Sequence, residues 1–170
     1  MAELFASIEP DTRGERVALI ARRVVMSLLA VVPLLALLDV FGQKPTSTIA
    51  ATPRARMELS APETVRGGLF FQSRIEIRAL GRIAHPRLVL DEGWLEGMQV
   101  NSIEPAPGDE ESRDGRLALS YTTLEQGDVL KVWLQFEVDP TTVGRRPYGL
   151  ELDDDQRPIA RIAHELTIFP

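Results

Sequence analysis

Side chains suited to catalysis or metal binding are few and scattered along this sequence. There is no cysteine, and the only two histidines are His85 and His164. A protein metal centre usually takes three or four ligands, and no H-x-H or H-x-x-x-H pair occurs here. The G-x-S-x-G nucleophile motif is missing, and Gly67-Gly68 precedes a strand pattern, whereas a phosphate-binding loop leads into a helix. We therefore predict no catalytic residue, no cofactor and no metal site, in a protein that is not an enzyme.

Acidic residues cluster in two segments that could attract a cation. The segments are Asp109–Gly115 (DEESRDG) and Asp153–Asp155 (DDD). Calcium favours carboxylate-rich loops, but neither segment matches the twelve-residue calcium-binding loop. We interpret both as solvated hairpin loops, with calcium binding as the alternative.

The two tryptophans are the best candidates for contacting a partner. Trp133 falls on the polar face of the alternating segment Val129–Val138. An outward ring of this kind can anchor a partner or a sugar, or it can pack against the stems of Arg74 or Arg78. Trp94 lies in the turn-like segment EGWLEG, where it either plugs one end of the domain or binds a ligand.

An almost unbroken apolar run covers residues 24–41 and is long enough to cross a bilayer once as a helix, which takes about 20 residues. Four arginines precede the run. Because basic residues stay on the cytoplasmic side, the predicted topology has the N-terminus inside and the C-terminal domain outside. We predict an uncleaved signal anchor, and a cleaved signal peptide is the alternative. Asp39, near the outer end, either marks the interface or contacts a partner membrane helix.

The anchor divides the chain into four predicted parts. These are a short cytoplasmic segment at 1–23, a transmembrane helix at 24–41, an extended tether at 42–53 and an extracytoplasmic domain at 54–170. The formal net charge is −6, and residues 45–170, with 14 basic and 20 acidic groups, carry all of it. An acidic outer domain argues against binding nucleic acid or anionic lipid headgroups through a basic face, and local basic patches are the alternative.

After residue 53 the apolar residues recur at every second position, which is the signature of strands. Turn residues separate seven or eight such segments, and none of them has a sustained helical period. One apolar face per strand is what the interior of two packed sheets requires. The predicted fold is therefore all-β, an immunoglobulin-like antiparallel β-sandwich of seven to eight strands after one N-terminal transmembrane helix.

Two segments add a resemblance to this pattern. LSAPETVRGG at 59–68 is similar to the opening of immunoglobulin-like modules of bacterial surface proteins, where an apolar strand leads into A-P-x-x-V and a glycine. LEQGD at 124–128, followed by an alternating strand that ends in Val138-Asp139-Pro140, resembles their late-strand L-x-x-G-(D/E) pattern. The resemblance implies an immunoglobulin-like fold and a role as a spacer, adhesion unit or accessory domain.

These features predict a single-pass accessory or interaction protein of the bacterial cytoplasmic membrane, with its domain outside. The expected partner is a membrane protein, met through the helix or through the face that bears Trp133. The alternative is a module that binds envelope glycan or another ligand and is released after signal cleavage. Arginine strongly outnumbers lysine, a bias typical of GC-rich bacterial genomes.

Overall fold

The computed structural model describes residues 12–37, 43–113 and 115–170. The chain divides after residue 42 into two compact units. The first contains helix α1, and the second contains all the strands of the described residues.

Helix α1 spans Thr12–Leu37 and contains Pro33. Within it, Arg16–Leu35 is a 20-residue stretch with a mean hydropathy of 2.0, and it is the one helix in the described residues long and apolar enough to cross a bilayer. Both a membrane span and a signal sequence have this length and composition. The predicted span 24–41 overlaps α1 as far as Leu37, and its last four residues lie outside the described part of the chain.

The second unit holds thirteen strands in its described residues. They are β1 (Pro45–Ala51), β2 (Ala55–Pro62), β3 (Thr64–Arg66), β4 (Phe70–Ala79), β5 (Pro86–Leu90), β6 (Met98–Glu104), β7 (Asp109–Arg113), β8 (Arg116–Ser120), β9 (Val129–Val138), β10 (Gly144–Pro147), β11 (Leu150–Asp154), β12 (Arg157–Ile162) and β13 (Glu165–Phe169). A single 3₁₀ turn at Glu92–Trp94 lies between β5 and β6.

The strands form three sheets. Sheet I has the order β1-β2-β4-β9-β6, sheet II has the order β12-β11-β5-β8-β7, and sheet III has the order β10-β13-β3. All pairings in the described residues are antiparallel except the one between β13 and β3. The architecture is an immunoglobulin-like β-sandwich, as the sequence predicts.

One apolar core fills the space that the sheets enclose. In β4 and β9 every second side chain points into it, so that Ile75 and Leu134 are fully buried while Arg74 and Trp133 face outward. The predicted alternation of both strands is confirmed. Burial of these apolar side chains is the main stabilising contribution, because the chain has no disulfide.

The predicted tether needs correction, because most of it is a strand. Residues 45–51 form β1 and pair in register with β2, from Pro45 opposite Pro62 to Ala51 opposite Arg56. Thr48 and Ala50 turn partly toward the core, whereas the other β1 side chains are exposed. An edge strand that buries so few apolar atoms has a weak sequence signal.

The acidic segment at 109–115 also differs from its prediction as a loop. Residues Asp109–Arg113 form β7, whose backbone pairs with β8 from Asp109 opposite Ser120 to Arg113 opposite Arg116. The last part of the chain forms two strands, β12 and β13, with a break at Ala163-His164. These differences, together with the short β3 and β10, raise the strand count above the predicted seven or eight.

Candidate binding surface

The outer face of sheet I carries Trp133, and the strand register shows which residues surround it. Trp133 lies on β9 directly opposite Arg74 of β4 on one side and Glu104 of β6 on the other. The same row continues through Ser60 of β2 to Ser47 of β1. Directly opposite residues have Cβ atoms about 4.5–5.5 Å apart, so the indole ring stands between a cation and an anion.

Trp133 remains 37% exposed in this position. The register also limits the alternative in which the ring packs on its own sheet. Arg74 is its direct neighbour, whereas Arg78 pairs with Val129, four residues away along the strand. The sequence predicts the outward direction of Trp133 correctly, and its binding role stays a prediction.

Most charges on this face have no ion-pair partner among the described residues. The exception is the pair of Lys131 and Glu76, whose Nζ and Oε2 atoms lie 3.3 Å apart. The charged side chains without such a pair are Arg56, Glu58, Arg74, Arg78, Glu104 and Glu137. A partner could pair with them without first breaking an ion pair within the described residues.

The outer face of sheet II differs, because several of its charges form a connected ion-pair network. Arg161 Nη1 lies 3.0 Å from Glu151 Oε2, and Arg161 Nη2 lies 3.3 Å from Asp91 Oδ2. Arg116 Nη2 lies 3.5 Å from an oxygen of each of the same two carboxylates. This four-residue network occupies the groups that could otherwise meet a partner, so the outer face of sheet I is the better candidate for binding.

An open depression of about 520 Å³ adjoins the Trp133 row on sheet I. Its lining is mainly polar and comprises Ala51, Arg56, Glu58, Glu76, Arg78 and Leu80. Because it alternates cations and anions and has few apolar walls, it suits a polar surface more than a buried small molecule.

The structure removes Trp94 from the candidate binding residues. Trp94 is fully buried, its ring stacks on Tyr148 with centroids 3.7 Å apart, and its Nε1–H donates to Gly149 O at 2.8 Å. It plugs one end of the core, which is one of its two predicted roles, and offers no surface to a partner. Asp39, the third candidate, lies outside the described residues.

The remaining ionisable candidates form no reactive constellation in the described ranges. No group of three or more histidine, aspartate or glutamate side chains there is placed to hold a metal ion. His164 Nε2 lies 3.4 Å from Pro62 O, and His85 borders a small groove beside Tyr121. Burial, with a smaller contribution from Glu110, raises the pKa of Tyr121 to about 12, so this phenol stays protonated at neutral pH.

Sequence reasoning could not have placed Glu104 beside Trp133. Strand parity alone puts Arg74 on the outer face, but the position of Glu104 depends on how β6 pairs with β9. That pairing contains an irregularity between Val100 and Ser102, which no sequence pattern reveals.

No family model matches this chain, and no curated protein matches it. Among solved structures, it is similar to a non-cellulosomal cohesin from Archaeoglobus fulgidus, with 14% identity over 75% of this chain and 92% of that one and a TM-score of 0.41. It is also similar to CaCohA2 from Clostridium acetobutylicum, with 12% identity over 74% and 91% and a TM-score of 0.41. AvmM, which catalyses macrocyclization in alchivemycin A biosynthesis, shows 8% identity over 76% and 92% and a TM-score of 0.40. Likeness at this level assigns no function to this chain.

Proposed function

We propose that this protein is a membrane-anchored, extracytoplasmic interaction protein that binds another membrane protein through the outer face of sheet I. The observation that carries the proposal is the row in which exposed Trp133 stands between Arg74 and Glu104, neither of which has an ion-pair partner in the described residues. The proposed role requires no turnover.

The chemistry of this row suits a protein interface. Tryptophan and arginine are enriched among the residues that dominate binding energy, and they act best when neighbouring groups exclude water from them. Charges of both signs around a central aromatic ring favour a partner with the complementary pattern and disfavour others. The same charges keep the face soluble before the partner arrives.

The proposed placement rests on α1 and its flanking charges. Arg13, Arg16, Arg22 and Arg23 precede the apolar stretch, which favours an N-terminus on the cytoplasmic side and a domain outside. As a retained anchor, α1 would keep the domain in the plane where a membrane protein can meet it. A cleaved signal sequence would instead release the domain.

The test is site-specific photo-crosslinking in intact membranes. A photoreactive residue at position 133 should yield one dominant adduct with a membrane protein, which mass spectrometry of the product would identify. The matched control carries the same group at Arg157, an exposed residue of β12 in sheet II. Equal labelling of many proteins from both positions, or no adduct from position 133, would contradict the proposal.

Envelope glycan is the second candidate, because an exposed indole ring among polar side chains can also stack on a sugar. In that case Trp133→Ala should weaken binding to isolated cell wall by about 1–3 kcal/mol. Arg157→Ala is the control and should leave this binding unchanged. If Trp133→Ala binds the cell wall as well as the wild type does, Trp133 does not stack on glycan. The protein partner is then the remaining hypothesis for this surface.

A further inference from the structure

One end of the second unit carries four exposed apolar side chains, which we call the apolar end. They are Leu69 (46% exposed), Phe70 (64%), Val143 (50%) and Phe169 (51%). Of the other large exposed apolar side chains of the described β-sandwich, Leu80 and Val129 lie near the opposite end of sheet I, and Ile49 and Trp133 lie on its outer face.

Backbone contacts bring these segments together. The N–H of Gly67, two residues before Leu69, donates to Phe169 O at 2.9 Å. Gly144 of β10 pairs with Ile168 of β13. Extending this antiparallel register by one residue places Val143 opposite Phe169. The four side chains therefore share the turn between β3 and β4 and the adjoining edge of sheet III.

The chain also enters the second unit at this end. Pro45 pairs with Pro62, and Ser60 pairs with Arg74, so carrying both registers outward brings Gln43 to the level of Phe70 along the strands. Five residues separate Leu37, the last residue of α1, from Gln43. A chain of that length spans at most about 20 Å even when fully extended.

We propose that the apolar end rests on the lipid bilayer and inserts Leu69, Phe70, Val143 and Phe169 into its interface. The inference depends on the membrane anchor of the proposed function, because the short connection then holds this end beside the lipid. Once the domain is tethered, contact with lipid becomes intramolecular, so a few apolar side chains suffice where they would not recruit a soluble protein.

The surrounding charges are compatible with a lipid headgroup layer. Lys44, Arg66 and Arg145 are exposed cationic residues at this end, and Arg145 Nε also lies 3.4 Å from Glu165 Oε1. Cations near an apolar tip interact favourably with lipid phosphates. Glu137 lies directly opposite Phe70 on the outer face of sheet I, at the same level along the strands. The end is thus amphipathic, with apolar tips bordered by polar groups.

Contact of the apolar end with lipid would set the direction and the height of the outer face of sheet I relative to the bilayer. The strands of sheet I would stand roughly upright on the membrane, so their outer face would point sideways along it. Trp133 pairs with Arg74, four residues from Phe70 on β4. At about 3.3 Å per residue, the Trp133 row would stand roughly 13 Å above the apolar tips. A partner would then need a part that projects just above the bilayer.

The absence of cysteine allows a direct test with single labels. Phe70→Cys and Leu80→Cys place a nitroxide at opposite ends of the same strand, because Leu80 directly follows β4 and is also exposed (42%). The full-length protein is reconstituted into phosphatidylcholine vesicles without any other protein and isolated by flotation. Collisions of each label with oxygen, which concentrates in lipid, and with a water-soluble nickel chelate are then measured by electron paramagnetic resonance.

At position 70 we expect an oxygen-to-nickel collision ratio severalfold higher than at position 80. Adding Phe169→Asp to the Phe70→Cys protein should lower that ratio toward the value at position 80. Phe169→Cys is a second labelling site, should Phe70→Cys fail to fold as judged by circular dichroism.

Three results would overturn the inference, and they differ in whether they also contradict the proposed function. Equal ratios at positions 70 and 80 in floating vesicles would refute the lipid contact and leave the proposed interaction intact. Protection of position 70 from both reagents would show that protein, such as a second copy of the chain, covers the apolar end. Failure of the protein to float would remove the anchor, and with it the membrane part of the proposed function.

Discussion

Trp94 and Trp133 differ because of the backbone that carries them. Trp94 is the last residue of a 3₁₀ turn, and its ring enters the end of the core, where it stacks on Tyr148 and donates to Gly149 O. Trp133 lies in the middle of a regular strand, whose alternation turns it outward. Strand parity is readable from sequence, whereas the direction of a turn residue depends on the tertiary contacts around it.

A prediction at the residue scale concerns Asp154. Its Oδ1 accepts a hydrogen bond from the backbone N–H of His85 at 2.9 Å, and its Oδ2 forms an ion pair with Arg54. The His85 N–H, followed by Arg54, lowers the pKa of Asp154. Asp154→Asn should therefore reduce the free energy of unfolding by about 1–2 kcal/mol at pH 7.

The effect of Asp154→Asn should depend on pH in a defined direction. Because the folded-state pKa is lowered, the stabilisation is complete well above the unfolded pKa of about 3.9 and disappears as pH falls through the folded-state pKa. Urea unfolding from pH 7 to pH 3 should show the difference from wild type shrinking below about pH 5. Asp155→Asn, at an exposed neighbour with no ion pair in the described residues, is the control; an equal loss there would contradict this account.

At the level of elements, the sequence predicts the central strands well and the edges poorly. β4 and β9 alternate apolar and polar side chains over ten residues each, and the structure places both inside sheet I. β1 and β7 lie at sheet edges and are held mainly by backbone pairing with β2 and β8. Backbone hydrogen bonds leave no mark on side-chain type, so a Pro-Thr-Ser segment and an acidic segment look like loops.

The 3₁₀ turn gives a prediction at the same scale. A Cβ atom added at Gly93 would lie 2.2 Å from Pro147 O of β10, so the turn and β10 can only pack this closely with glycine here. Gly93→Ala should lower the free energy of unfolding by roughly 2 kcal/mol or more, since backbone must move to relieve the overlap. Thermal unfolding followed by the near-ultraviolet signal of Trp94 would measure it.

Gly81→Ala is the matched control, because a Cβ there has no atom within 4 Å. This substitution should leave stability unchanged or raise it slightly, by up to about 1 kcal/mol, through the unfolded state. Similar losses for both variants would show that the contact between Gly93 and Pro147 does not limit packing.

For the whole molecule, the spacing of apolar residues predicts the class of fold and the apolar helix. It does not predict which surface of the domain binds a partner. The formal net charge is −6, and the outer faces of sheets I and II differ in how many of their charged side chains form ion pairs. Sheet II neutralises its charges in the network around Arg116 and Arg161, whereas sheet I keeps unpaired charges around Trp133. Only the pairing of distant strands produces this contrast, so no local sequence pattern contains it.

The proposed topology gives a prediction at this scale. Arg157→Cys places a thiol in the domain and Ala2→Cys places one before α1, in a chain that is otherwise free of cysteine. In intact cells, a membrane-impermeant maleimide should label the first variant and label the second only after the membrane is opened. Labelling of both or of neither before opening would contradict an N-terminus inside and a domain outside.

The pairing of β1 with β2 also has a mechanical consequence. Under the proposed function α1 is the anchor, so a force applied along β1 would enter the second unit at the start of this strand, while a partner held at Trp133 would pull on β9 of the same sheet. All the register pairs between Pro45 and Ala51 then carry the load together in shear, instead of opening one at a time. We expect pulling from residue 43 to rupture the domain at a high force in a single step. A domain anchored in this way would hold its partner under tension without unfolding from its N-terminal strand.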